Sequence, residues 1–344
     1  MRMRALSGCI LLSSILAVGL WSDLAPAAPG DLYYTEGRQQ LVEGKRRDAE
    51  ASFRKALREN PDHVEALYQL ALIHTGNVLT YGQAEKELLD LPAIATRVGG
   101  SGRDDLLFRS GVALGKLYLR SGRPRLCIQL VRNVIASAPA GSALDDAYNT
   151  LGLALYYDRS YEDAIFELRK AIKFNPDNRE ARFNLKTIRA RLEHYQAGKI
   201  YDRMGEPGEA IDQFRQAIHL DPRFVEARHR LGAALLARGD FEEALRELRR
   251  ADSISSDYRK AYEIWYAEGQ AMERLGMPDD ALRMYRNAAE ARPNFAAAHN
   301  AAGKILLDRG EYEEAIRCFV RAIGIDPRTE YVRNLQIAFT KKGP

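Results

Sequence analysis

Small residues recur along this chain at a spacing that a single folded core does not generate. Gly37, Ala71, Gly115, Gly152, Gly198, Gly232, Gly269 and Gly303 stand 34, 44, 37, 46, 34, 37 and 34 residues apart. A period of that size marks one supersecondary unit stacked on copies of itself. A second series, Ala49, Ala84, Cys127, Ala164, Ala210, Ala244, Ala281 and Ala315, follows 12 or 13 residues behind the first. Each unit therefore holds two helices that meet at small side chains. A third series begins eleven residues after the alanine in five units: Asn60-Pro61, Asn175-Pro176, Asp221-Pro222, Arg292-Pro293 and Asp326-Pro327. Proline lacks an amide donor and pushes its predecessor out of helical geometry, so each pair ends a second helix and opens a turn.

The residues between these markers carry helical periodicity. Tyr148, Leu151, Leu155, Ala164, Ile165, Leu168, Ala171 and Ile172 run mostly in steps of three and four on both sides of an Asp-Arg-Ser turn. Glycine in Arg238-Gly239-Asp240, Leu275-Gly276-Met277 and Arg309-Gly310-Glu311 suits the left-handed cap between paired helices. After Pro176 the apolar steps Ala181, Leu185, Ile188, Leu192 and Tyr195 predict one helix from near Arg179 to Arg203, about 37 Å long. Ala93 to Arg103, with Gly99-Gly100-Ser101-Gly102, reads as a flexible insertion. It is no phosphate loop, because no strand precedes it and the Lys-Ser/Thr ending is missing.

Trp265, Gly269, Ala281, Tyr285, Ala288 and Pro293 follow the order W, G, A, F or Y, A, P of the tetratricopeptide repeat, and the chain resembles that family. Leu231-Gly232 with Ala244 and Ala251, and Leu151-Gly152 with Ala164, Ala171 and Pro176, repeat the pattern; Phe53, Phe214 and Phe319 fill its aromatic place. Glu268 stands where the pattern has Leu and Met272 where it has Tyr. The copy at 64–92 departs further, with Ala71 for Gly and an extra residue before Ala84. The resemblance covers about nine tenths of the chain. It implies an all-α fold, a right-handed superhelical solenoid of helix-turn-helix repeats at 30–63, 64–92, 108–141, 145–178, 191–224, 225–258, 262–295 and 296–329. A capping helix at 330–341 then covers the last apolar face with Val332, Leu335 and Phe339.

With 46% apolar and 28% charged residues the chain is globular, and a net charge of +4 with interleaved signs is no footprint for nucleic acid. The first residues stand apart from the array. Arg2 and Arg4 precede an apolar run from Ala5 to Trp21, and Ala25-Pro26-Ala27-Ala28 supplies small residues for cleavage. This is the composition of a secretory signal, 1–27, cut after Ala27; the alternative is an uncleaved anchor, the one route to membrane association. Leu6-Ser7-Gly8-Cys9 has the look of a lipoprotein signal, but its cysteine precedes most of the apolar run, so a lipid on Cys9 requires a start upstream. Past the signal only Cys127 and Cys318 remain, both at small-residue or packing places, and far apart.

Nothing in the sequence composes a catalytic or metal site. His63, His74, His194, His219, His229 and His299 form no i, i+4 pair, no Gly-x-Ser-x-Gly elbow occurs, and neither cysteine has a histidine nearby in sequence. The expectation is a protein without enzymatic activity, metal or cofactor. In the family the concave face of the first helices holds an extended peptide or a partner helix. At the fifth place of the units stand Tyr34, Tyr68, Asn149, Tyr195, His229, Tyr266 and Asn300, with Val112 the exception. Tyr156, Lys116, Lys199, Arg230 and Lys304 join them on the same face, and Tyr157 and Arg109 add bulk and charge. Tyrosine offers large contact area at low entropy cost, and asparagine pairs with peptide donors and acceptors. The competing reading is that the tyrosines pack against the next unit. A carboxylate clamp of the family's kind is incomplete, since Lys116 and Asn149 supply only pieces of it. The expected function is an exported scaffold for protein or peptide partners in a bacterial envelope; the alternative is a receptor whose solenoid changes curvature on binding a ligand.

Overall fold

The computed structural model describes residues 28–100, 102–254 and 260–343. The secretory-signal expectation therefore lies outside the described residues. Every regular element among them is helical, and the described residues divide into two compact units, unit 1 ending at Leu185 and unit 2 starting at Lys186.

Unit 1 contains α1 (Asp31–Val42), α2 (Arg46–Glu59), α3 (Val64–His74), a 3₁₀ turn (Val78–Thr80), α4 (Tyr81–Val98), α5 (Arg103–Arg120), α6 (Pro124–Ala136), α7 (Leu144–Tyr157), α8 (Tyr161–Phe174) and the start of α9 (Arg179–Met204). Unit 2 takes the rest of α9, then α10 (Pro207–Leu220), α11 (Val225–Arg238), α12 (Phe241–Ile254), α13 (Ala261–Arg274), α14 (Pro278–Ala291), α15 (Ala296–Asp308), α16 (Tyr312–Ile325) and α17 (Thr329–Lys342). Within each unit, helices adjacent in sequence pack as antiparallel pairs and each pair packs on the next, which makes both units α-solenoids.

The pairing follows from one stripe on each second helix. Ala210, Phe214 and Ala217 on α10, and Ala315, Phe319 and Ala322 on α16, are all wholly buried. The aromatic ring lies over the glycine of the first helix: a Cβ on Gly198 would come within 2.6 Å of the Phe214 ring, and one on Gly303 within 2.7 Å of Phe319. Two helices approach this closely only where one presents no side chain, and burying each such ring contributes about 2–3 kcal/mol.

Each X-Pro pair stops its helix as the steric argument requires. Asn60, Asn175, Asp221, Arg292 and Asp326 are the C-caps of α2, α8, α10, α14 and α16, with φ between −135° and −145° and ψ between 87° and 104°. The turns inside the pairs take the left-handed conformation at Gly239, Gly276 and Gly310. In the Asp-Arg-Ser turn that place is held by Arg159 at φ 68°, a conformation costly for a residue with a Cβ.

Two expectations are corrected. Ala93 to Val98 do not form a loop: α4 runs through Pro92 to Val98, and α5 starts at Arg103, leaving a short glycine-rich connection. The extra residue of the second copy is absorbed by the 3₁₀ turn before α4. The capping helix α17 turns Tyr331 and Ala338 inward, with Leu335 packed beside them, while Val332 and Phe339 are 38% and 54% exposed. Both sets keep helical steps, so periodicity alone does not choose between the faces. Ile337 of α17, partly exposed, occupies the place that holds glycine or alanine in every other first helix.

Candidate functional site

The fifth-place tyrosines are packing rings first. Tyr34 lies 6.0 Å from Phe53 and 4.9 Å from His63, Tyr195 lies 6.0 Å from Phe214 and 5.0 Å from Phe224, and Tyr266 lies 5.5 Å from Tyr285 and 5.1 Å from Phe295. Each is wedged between its own second helix and the turn that follows, and each remains half-buried. Burial raises the Tyr195 and Tyr266 phenols above their ordinary pKa, so both stay neutral. Tyr68 is buried beneath the Arg109 guanidinium, 5.2 Å from its ring centroid.

The two asparagines of the series share one geometry. Asn149 Oδ1 accepts from Asn184 Nδ2 and Asn300 Oδ1 accepts from Asn334 Nδ2, both at 2.9 Å. Asn149 and Asn300 are buried, so each amide ties one first helix to the next. His229 is also buried, and desolvation pushes its pKa down to about 4, which leaves a neutral imidazole across the physiological range. Tyr156 is 4% exposed, packed on Tyr157 and Tyr161; the exposed ring there is Tyr157.

The cations are the accessible part of the expected set. Lys304 is exposed; Lys116, Lys199 and Arg230 are half-buried. Lys116 pairs with Asp146 at 2.7 Å, and Arg230 reaches Asp202 at 3.8 Å. Lys199 stands 5.5 Å from the Tyr195 ring centroid and donates to Gln196 at 3.1 Å. Tyr195, Lys199 and Arg230 are thus brought together, the positive Arg230 partly opposing the burial that raises the Tyr195 phenol. In α1 the same step of four places Arg38 Nη1 3.2 Å from the Tyr34 hydroxyl, to which it donates. Aromatic rings flanked by cations and amides form a surface for hydrogen bonding and stacking. Among the described residues, no group of three or more His, Cys, Asp or Glu side chains is placed to hold a metal ion, and no helix is long and apolar enough to cross a membrane.

Sequence reasoning missed the fourth place of the first helices. There Arg228 donates from Nε and Nη2 to the Pro222 carbonyl at 2.9 and 2.8 Å and pairs with Glu247, while His299 Nε2 lies 3.0 Å from the Pro293 carbonyl. The signal was present: a long or ring donor six residues after the proline. Trp265, at the same place, donates to Asp252 at 3.0 Å.

Comparison with known proteins agrees with this architecture. A tetratricopeptide-repeat model matches residues 34–78, 195–259 and 266–328, and a second model of the same repeat matches 145–178. Among curated relatives, a DnaJ homolog subfamily C member 3 of Gallus gallus is 22% identical over 75% of this chain and 51% of its own length. A DnaJ homolog subfamily C member 7 homolog of Dictyostelium discoideum is 27% identical over 41% of this chain and 26% of its own length. The chain thus spans about half or less of these relatives. Of solved structures, MamA is 25% identical over 51% of this chain and 94% of its own, with a TM-score of 0.36. The Cut9–Hcn1 assembly of the APC/C is 14% identical over 90% of this chain and 76% of its own, with a TM-score of 0.42. With its repeat models covering more than half of its length, the chain belongs to the tetratricopeptide-repeat family.

Proposed function

We propose that this protein is a non-enzymatic scaffold that binds partner peptides or helices on the face formed by its first helices, and that it does so outside the cytoplasm, in bacterial envelope assembly or secretion. The carrying observation is the cluster of Tyr195, Lys199 and Arg230, where a half-buried ring, an ammonium and a guanidinium meet on successive first helices. A peptide backbone carbonyl or an acidic side chain meets donors there, and the ring edge offers apolar contact. Family membership supports the protein-binding role; the composition of residues 1–27 supports export.

Because Tyr195 and Tyr266 also hold the fold, replacing them would confound binding with unfolding. The test therefore uses the cations. Chain 28–344 bearing Lys199→Glu and Lys304→Glu is compared with the unmodified chain in capture from an envelope fraction. Loss of the captured partner with unchanged circular dichroism is the expected result; equal capture refutes the face. Export is tested separately by fusing residues 1–30 to a reporter active only outside the cytoplasm, where a silent fusion refutes it.

A further inference from the structure

In α3, α5, α7 and α11 the seventh place of the first helix is an apolar socket, whereas in α1 it holds an exposed Glu36. Leu70, Leu114, Leu151 and Leu231 fill it at 2–4% exposure. In α13 the same place holds Glu268, which is 4% exposed, and its Oε1 has no hydrogen-bond partner. A carboxylate without a partner in such a socket costs far more than a protonated acid, because only the charged form loses its hydration. The charged groups acting on it among the described residues both lie on α12: Asp252, which opposes ionisation, and Arg249, which favours it. Asp252 is itself held by the Trp265 indole. Among the described residues, α11, α14 and α15, the other helices packed around α13, contribute no charged group that acts on Glu268.

We propose that Glu268 makes the α12–α13 packing responsive to pH: closed while the carboxyl is protonated, loosened once it ionises. Burial pushes the Glu268 pKa from the ordinary 4.5 up to about 7, with Asp252 adding to the rise. The folded state therefore binds the proton more tightly than the open one. Closure is fully favoured below about pH 4.5 and is lost progressively as pH rises through about 7. That difference in proton affinity corresponds to about a 140-fold rise in the open fraction between pH 4.5 and pH 8. The moving helix carries Tyr266, so the response reaches the face assigned to partners, although the device itself does not depend on what docks there.

Hydrogen exchange by mass spectrometry tests this on chain 28–344 without any partner. Exchange of α12 and α13 peptides is corrected for the intrinsic rate at each pH, with α15 and α16 as internal reference. Protection of α12 and α13 in the unmodified chain is expected to fall steeply between pH 5 and 8. In Glu268→Leu, which restores the socket's usual occupant, and in Glu268→Gln, which is neutral at every pH, it is expected to stay level. A level profile in the unmodified chain, or the same fall in Glu268→Gln, overturns the proposal.

Discussion

The two units place the ion pairs of their Arg and Lys side chains at different depths. In unit 1, charge pairs between successive first helices stand in water: Arg109 with Glu65 at 36% and 35% side-chain exposure, and Lys116 with Asp146 at 39% and 41%. In unit 2 two pairs that lie inside a repeat are deep, Arg228–Glu247 at 10% exposure on both sides and Arg191–Asp221 at 12% and 13%, while Arg230–Asp202, between successive first helices, is as open as its unit 1 counterparts at 39% and 32%. Ring triplets occur in both, around Tyr34 and Tyr156 in unit 1 and around Tyr195 and Tyr266 in unit 2. Exposed pairs are worth little and are screened by salt, whereas a buried pair is costly to break because its survivor is left charged and dry. The deep pairs of unit 2 thus brace single repeats, while the pairs between successive first helices stay shallow in both units.

The strongest challenge to this contrast is Arg228→Ala, which strips the Pro222 carbonyl and leaves Glu247 only Arg250 at 2.6 Å. A loss of about 3 kcal/mol is expected. In chain 28–344 Trp265 is the one tryptophan, so its fluorescence during urea unfolding reports unit 2 directly. A loss under about 1 kcal/mol would make the deep joint no better than a shallow one. Next, Gly269→Ala drives a methyl into the Tyr285 ring. Helix propensity favours alanine by about 1 kcal/mol, yet overlap costs about 1–3 kcal/mol, so a net destabilisation is expected by the same fluorescence. In unit 1, Arg159→Gly relieves the left-handed strain and should raise the thermal midpoint, by about 1 kcal/mol in stability. Smallest of all, a double-mutant cycle on Lys116 and Asp146 should give a coupling below about 1 kcal/mol that vanishes in 1 M salt.

The ladders of small residues and X-Pro pairs made the helix boundaries legible, because a close approach and a missing donor are properties of the residue itself. The long helix α9, Arg179–Met204, was readable from its apolar steps. The course of α4 was not, since Pro92 and the glycines after it mimic a break that the helix in fact runs through. The depth of the residues assigned to the candidate face was not legible. A tyrosine ring is long enough to pack and to show an edge, so Tyr34, Tyr195 and Tyr266 fit both readings until their neighbours are known. Asn149, Asn300 and His229 look like contacts for a partner in sequence, yet their polar groups lie inside the stack. Glu268 was visible as a departure from the repeat pattern; that its socket is dry was not.

Ile337 sets a direction on the array. With a branched side chain where its counterparts leave a gap, α17 refuses any further helix in the register that pairs α15 with α16. Grafting extra repeats onto this protein would therefore have to begin by trimming Ile337 to glycine; without that edit, appended units would find no seat.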